Sequence, residues 1–252
     1  KNMYIVEVDD NIFVFDAGLK YPTTGMLGVD YIIPKFDYLI NNKKRIKGIF
    51  ISHGHVGNCG ALVDILKELP DVNVYATKFT MNLIKEELQK EKVEVKANIL
   101  KEIRPHSKID VDGYTIFPIS VTHSMPETVM YVLYTNDGAI CYATDFVFDS
   151  TMLGSYKTDI GKLAYVGKQG VLCLMSESMF AYREGHTSPK HRISKIVWDT
   201  LNKTDTRIII SVFPNHLYRI QEIFDQISRT RRKVVLMGKK LTETVEKGVE
   251  LK

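Results

Sequence analysis

His53 and His55 flank a single glycine directly after the apolar run Gly48–Ile51, which predicts a short buried strand opening into a loop. Two imidazoles at alternate positions converge on one point if that loop curls, and neutral imidazole is a ligand for zinc and its neighbours. Alone, His-x-His is a weak sign, because loop histidines also serve as packed or capping residues. Two further groups strengthen it. His123 follows the expected strand Tyr114–Val121 and Asp145 the expected strand Ala139–Thr144, so both stand just past strand ends. Three nitrogens and a carboxylate suit one zinc or manganese ion. Asp16 also ends a strand, where it could simply cap the next turn.

A second kind of chemistry is legible near the end of the sequence. Asn215, His216 and Arg219 lie where a strand leads into a helix, and the first turn of a helix attracts anions. His216 there can bind phosphate or cap the helix. The run Arg229-Thr230-Arg231-Arg232-Lys233 can meet a polyanion, although a helix C-terminus favours cations in any case. His106, His186 and His191 lack partners in the pattern and read as surface residues, Trp198 as core, and Cys59 as a small buried residue.

The elements that must position these groups are short. Tyr4–Val8 and Asn11–Phe15 read as a hairpin around Asp9-Asp10. Phe36–Asn41 reads as a helix, and Asn58 as the N-cap of a helix carrying Leu62, Ile65, Leu66 and Leu69, stopped by Pro70. Strands are expected at Val72–Ala76, Val93–Lys96, Ile109–Val111, Tyr114–Val121, Thr128–Tyr134, Ala139–Thr144 and Val171–Met175, the last one buried. Thr80–Glu91 reads as an amphipathic helix. From Ser188-Pro189 the texture alternates: helices at Lys190–Leu201, Leu217–Ser228 and Glu243–Leu251, strands at Arg207–Val212 and Lys233–Met237. The whole is α/β, with a layered first part and βαβ units on a parallel sheet in the second.

Composition narrows the class. The 252 residues are 44% apolar and 25% charged, ordinary for a globular protein, with no stretch of roughly 18 apolar residues and no signal-peptide pattern. Three dispersed cysteines exclude a disulfide framework or a thiolate zinc site and point to a reducing cytoplasm. Residues 151–252 carry 18 Lys and Arg against 10 Asp and Glu, a net of +8, whereas residues 1–150 carry a net of −4. A basic half fits either a polyanionic partner or a solvated basic face. Neither end reads as a natural terminus, so a portion of a longer chain is expected.

Phe15-Asp16-Ala17-Gly18, Ser52-His53-Gly54-His55, Thr122-His123-Ser124-Met125-Pro126-Glu127 and Tyr142-Ala143-Thr144-Asp145-Phe146 resemble the successive motifs of metallo-β-lactamases, in order. Lys1–Tyr21, Met26-Leu27-Gly28-Val29-Asp30, Ser176-Glu177-Ser178 and Phe213–Arg219 further resemble the bacterial ribonuclease J family, so the resemblance spans the chain. It implies a metallo-β-lactamase αββα sandwich over residues 1–188 and the start of an inserted β-CASP domain over 189–252. It also implies that Asp16 supports the metal loop by hydrogen bonds, and that Glu177 is the acidic β-CASP motif, where relatives more often carry Asp. The family usually has Ser-Asn where this chain has Asn215-His216.

The resemblance breaks at one place. The family loop is His-x-His-x-Asp-His, and Gly57 and Asn58 stand where the last two ligands belong, both of them for a second metal. His53, His55, His123 and Asp145 remain for the first. Two-metal hydrolysis holds the attacking and leaving oxygens between ions about 3.5–4 Å apart, so the implied activity is weak. The function expected is a 5′-to-3′ exoribonuclease and endonuclease of RNA decay and processing, with His123 and Asp145 as catalytic groups and one zinc or manganese ion, a metal-free loop with satisfied histidines being the alternative to that ion. The alternative is an inactive RNA-binding subunit in a hetero-oligomer with an active ribonuclease J paralogue, homo-oligomers also being implied. A hydrolase of small esters is a third reading, which the β-CASP resemblance opposes.

Overall fold

The computed structural model describes residues 2–149, 151–152, 154–179, 181–185 and 193–250. Two five-stranded sheets face each other. The first runs in the order β1 (Tyr4–Val8), β2 (Asn11–Phe15), β3 (Ile46–Phe50), β4 (Val74–Thr77), β5 (Leu100–Ile103). β1 and β2 form an antiparallel hairpin, and β3, β4 and β5 follow β2 in parallel. Asp9 and Asp10 both adopt positive φ, as a two-residue hairpin loop demands. The second sheet runs β10 (Val171–Ser176), β9 (Gly138–Ala143), β8 (Val129–Thr135), β7 (Tyr114–Ser120), β6 (Ile109–Val111), antiparallel except for the β9–β10 pair.

Period-two alternation makes four layers of this. Phe13, Phe15 and Phe50 point inward from the first sheet onto Ile116, Val129, Tyr131 and Tyr142 of the second. The alternate residues Ile12, Val14, Ile49 and Ile51 face outward and are covered by α1 (Asp37–Asn41), by α3 (Leu62–Glu68), which follows the short helix α2 (Val56–Cys59), and by α4 (Lys78–Lys90). On the far side Phe117, Ile119, Val132 and Cys141 pack against Leu163 and Val166 of α5 (Ile160–Gln169). α6 (Ser194–Lys203), α7 (Leu217–Ile227) and α8 (Lys239–Glu250) complete the described structure, with Val197, Leu201 and Ile223 at the α6–α7 contact.

Several local expectations are corrected. Val93–Lys96 is not a strand; β5 takes the sheet edge instead, and α5 was not anticipated. Residues 207–212 and 233–237 form no strand among the described residues, because a strand needs a paired neighbour and neither has one. The βαβ expectation for that part is therefore not met there, and Ile209 is 91% exposed. β10 is a strand, yet it forms an open edge with Leu172 and Leu174 exposed rather than buried. Trp198 is exposed, beside rather than within the stripe of Val197 and Leu201. His186, His191 and the expected boundary between residues 188 and 189 lie outside the described residues.

Candidate metal centre

The loops that follow β2, β3, β7 and β9 meet at one end of the two sheets. In the parallel part of a sheet, the carboxyl ends of strands are where loops diverge and leave room for a ligand. Backbone bonds tie these loops together before any side chain is considered. Asp16 N donates to Phe50 O at 2.9 Å, Ala17 N to Asn58 O at 2.6 Å and Val129 N to Ser52 O at 3.1 Å. Val147 N donates to Thr122 O at 3.0 Å, which joins the His123 loop to the Asp145 loop. Gly54 lets the metal loop lie flush on α4, since a Cβ there would sit 2.4 Å from Leu83 Cδ1.

Three imidazoles converge. His55 Nδ1 lies 3.1 Å from His53 Nε2 and 3.1 Å from His123 Nε2. Tetrahedral zinc with bonds of about 2.0–2.1 Å would hold its ligand nitrogens about 3.3 Å apart, so the spacing fits such an ion closely. Among the described residues these three histidines form a group that could hold a metal. Asp145 Oδ2 stands 3.7 Å from His53 Nε2 and is the carboxylate nearest that nitrogen among the ion pairs.

The histidines are held in the state a metal requires. Burial, with His123 and His55 as positive neighbours, holds His53 well below the ordinary imidazole range. Burial and His123 bring His55 down to about 4, with His216 and Lys240 adding to the effect and Asp145 opposing it. Both rings are thus neutral near neutral pH, as ligands must be. The tautomer of His53 follows from its surroundings. Ser52 Oγ donates to Asp16 Oδ2 at 2.9 Å, so it is left to accept from His53 Nδ1, 3.0 Å away. The proton then sits on Nδ1, and the bare Nε2 faces the other rings. On the far side of His55, Nε2 lies 3.4 Å from Ser124 Oγ.

Asp16 is the hub of this support. It is fully buried, with φ of +59°. It accepts from Ser52 N, Ser52 Oγ, Asn58 Nδ2 and Tyr142 OH at 2.8, 2.9, 2.8 and 2.7 Å. Burial nevertheless outweighs these four bonds and pushes its carboxyl up to about 6. Asn58 is not the N-cap that its position predicts. It lies inside α2, and its Nδ2 also donates to Thr144 Oγ1 at 3.1 Å. Gly57 offers no side chain. Cys59 is half-buried, its thiol donating to His55 O, and burial pushes it up to about 12, which makes it inert.

Beside the histidines opens a cavity of about 600 Å³, lined by His55, Gly57, Asn58, Asp145, Glu177 and Tyr4 among others. Glu177 Oε1 accepts from Phe146 N at 3.2 Å and so braces the Asp145 loop from the end of β10. His216 caps α7, its Nδ1 accepting from Arg219 N at 3.3 Å. Asn215 and Arg219 are half-buried beside it. Arg232, in the basic run, is engaged internally, donating to Thr206 O at 2.7 Å, to Leu201 O at 3.3 Å and to Thr204 O. His106 is exposed at the surface, its Nδ1 3.8 Å from Asp159 Oδ2. The pattern had missed Ser52, Tyr142 and Thr144 as supports and Lys240 as a neighbour of His55. Only their adjacency to Asp16, His53 and Asp145 pointed to the first three.

Residues 13–195 match the beta-lactamase superfamily domain, and residues 205–252 match the beta-CASP domain of ribonuclease J. The chain is 37% identical over 241 residues to proteins named Ribonuclease J 2 from Staphylococcus saprophyticus and Staphylococcus aureus, covering 96% of this chain and 43% of each relative. It therefore spans less than half the length of the curated relatives it matches. A protein of unknown function from Enterococcus faecalis V583 shares the fold, at a TM-score of 0.59 and 18% identity over 97% of this chain and 64% of that structure. No helix among the described residues is long and apolar enough to cross a membrane. Two facing sheets with His53, His55 and His123 gathered at their common end, and two domain matches in sequence order, place the chain in the ribonuclease J family, as a metallo-β-lactamase domain and the start of a β-CASP domain.

Proposed function

We propose that this chain carries the site of a ribonuclease J-like, metal-dependent RNA hydrolase whose turnover is low because one ion is held where an intact site holds two. The observation that supports this most is the convergence of His53 Nε2, His55 Nδ1 and His123 Nε2, each pair involving His55 at 3.1 Å, with Asp145 beside them. His53, His55, His123 and Asp145 are the ligands on this reading. A bound zinc or manganese ion supplies Lewis acidity toward a phosphoryl oxygen. The protein's own part is to hold the imidazoles neutral, to fix the His53 tautomer through Ser52 and Asp16, and to present Asp145 at the cavity. Four protein ligands around one ion leave little room for water, which limits turnover.

RNA is the proposed substrate, and the basic second part of the chain is its proposed track. Asn215, His216 and Arg219 at the start of α7 are the proposed phosphate contacts, supported by the closeness of His216 and Lys240 to His55. On this reading residues 1–188 belong to the first domain and 189–252 to the second, and the site works in the cytoplasm. A second reading has a specific observation in its favour. Gly57 has no ligand atom, and the Asn58 amide already serves Asp16 and Thr144. That favours an RNA-binding subunit assembled with an active paralogue.

Metal analysis of the purified protein, together with decay of a 5′-monophosphorylated RNA, decides between them. The catalytic reading expects about one ion per chain and slow decay that His123→Ala abolishes. Decay unchanged in His123→Ala overturns it. RNA binding with no decay and a stable complex with an active paralogue selects the second reading. Gly57→Asp with Asn58→His is expected to raise activity if this loop is the defect.

A further inference from the structure

We propose that Asn58, at a position the family uses for a metal ligand, is in this chain a positioning residue that holds Asp145 at the one-ion site. This inference rests on the ligand set proposed above. The Asn58 side chain is buried between two segments that are far apart in sequence. One amide nitrogen donates to Asp16 Oδ2 at 2.8 Å, at the end of β2, and to Thr144 Oγ1 at 3.1 Å, directly before Asp145. A primary amide nitrogen carries two protons, so it can serve both acceptors at once. No imidazole nitrogen can, because each carries at most one. Asparagine is therefore not merely a vacant ligand position. It does something that histidine at the same place would have to give up.

The acceptors show what the bond controls. Asp16 is fixed by three other hydrogen bonds and by Phe50 O holding its backbone, so it is the anchored end. Thr144 is the end that needs holding. It lies past the last ladder pair of β9, Ser176 with Ala143, where the sheet no longer dictates the backbone. Asn58 continues that restraint for one more residue, and the next is Asp145, whose Oδ2 stands 3.7 Å from His53 Nε2. Without the tie, the segment keeps the Tyr142 hydroxyl beside Thr144, Glu177 on Phe146 N and Thr122 O on Val147 N, but loses its link to the buried Asp16 hub through Asn58. A partner hydrogen-bonded directly to a ligand is worth about 10–100-fold in metal affinity, and Asn58, which acts through Thr144, is expected at the lower end of that range.

The test is zinc affinity of the chain and its variants, measured by competition with a chelating dye, with folding checked by thermal melting. Asn58→Ala and Thr144→Val are each expected to weaken zinc at least tenfold, and Thr144→Ser, which keeps the hydroxyl, to restore wild-type affinity. The double variant Asn58→Ala/Thr144→Val is expected to lose clearly less than the sum of the two single losses, because both cut the Asn58–Thr144 bond even though Asn58→Ala also frees Asp16. If Asn58→Ala fails to fold, the Thr144→Val and Thr144→Ser pair carries the same comparison. Wild-type affinity in Thr144→Val, or losses that add in the double variant, overturns the positioning role. Absence of zinc binding in the wild type, by contrast, overturns the ligand assignment itself, and His123→Ala provides that control.

Discussion

Replacing Asp16 with asparagine removes a buried charge while keeping its shape and a side chain that tolerates positive φ. The cost of the charge follows from its burial. Burial raises the carboxyl from 3.8 to about 6, a displacement equivalent to about 3 kcal/mol favouring the protonated form in the folded state. The folded state therefore binds the proton more tightly than the unfolded chain. This group's stabilising contribution is complete below pH 3.8 and is lost as pH rises through 6. Roughly half of that ~3 kcal/mol is lost between pH 5 and pH 8. His55, lowered to about 4, works the opposite way, gaining stability as pH rises toward 6.5. Both proteins carry His55, so subtracting one from the other isolates Asp16. Metal-free wild type and Asp16→Asn are melted at pH 5 and pH 8. The variant is expected to gain on the wild type by about 3–6 °C between the two, at roughly 2–4 °C per kcal/mol for a chain of this size. A difference that stays constant with pH, or moves the other way, refutes the reasoning. Asn58 and Ser52 must also find new partners in the variant, so zinc affinity is expected to fall at least tenfold even where stability improves.

Zinc at 100 times its dissociation constant is expected to stabilise the wild type by about 2.7 kcal/mol, seen as a rise of about 5–11 °C in melting temperature, and to leave His123→Ala unmoved. Gly54→Ala forces the tip of Leu83 aside and is expected to cost about 1 kcal/mol in chemical denaturation, with Leu83→Ala relieving the clash. Arg232→Lys loses the planar fork that binds Leu201, Thr204 and Thr206 carbonyls. It is expected to speed amide exchange at the end of α6 while leaving zinc affinity unchanged.

The strands around the site were legible because their pairing is local and their alternation regular. β7, β8 and β9 are consecutive hairpin neighbours, and Asn136-Asp137-Gly138 announces the last turn. β5 was hidden because it is an edge strand with Lys101 and Glu102 exposed in its middle, and α5 because Gly161 and Gly167 weaken its helical signal. The apolar runs at 207–212 and 233–237 announce burial that the described residues do not supply. In the site, His53, His55, His123 and Asp145 were visible as residue types placed after strands. The role of Asn58 was not, since its two partners are 42 and 86 residues away and no spacing rule connects them. A motif position tells what an ancestor needed, whereas the hydrogen bonds tell what the present side chain does.

The two halves of the proposed donor set come from opposite sheets. His53 and His55 follow β3 in the first, and His123 and Asp145 follow β7 and β9 in the second. Early in folding each sheet can gather only part of the set. The full affinity for an ion then appears only when the sheets have docked, which requires contacts of long sequence separation and is slow. Ion capture is thus a late clock for folding, and a captured ion spans the seam along which the sheets would separate. Dissociation of the ion must precede or accompany that separation, so the bound protein is expected to unfold more slowly than the free one, whether or not it ever cuts RNA.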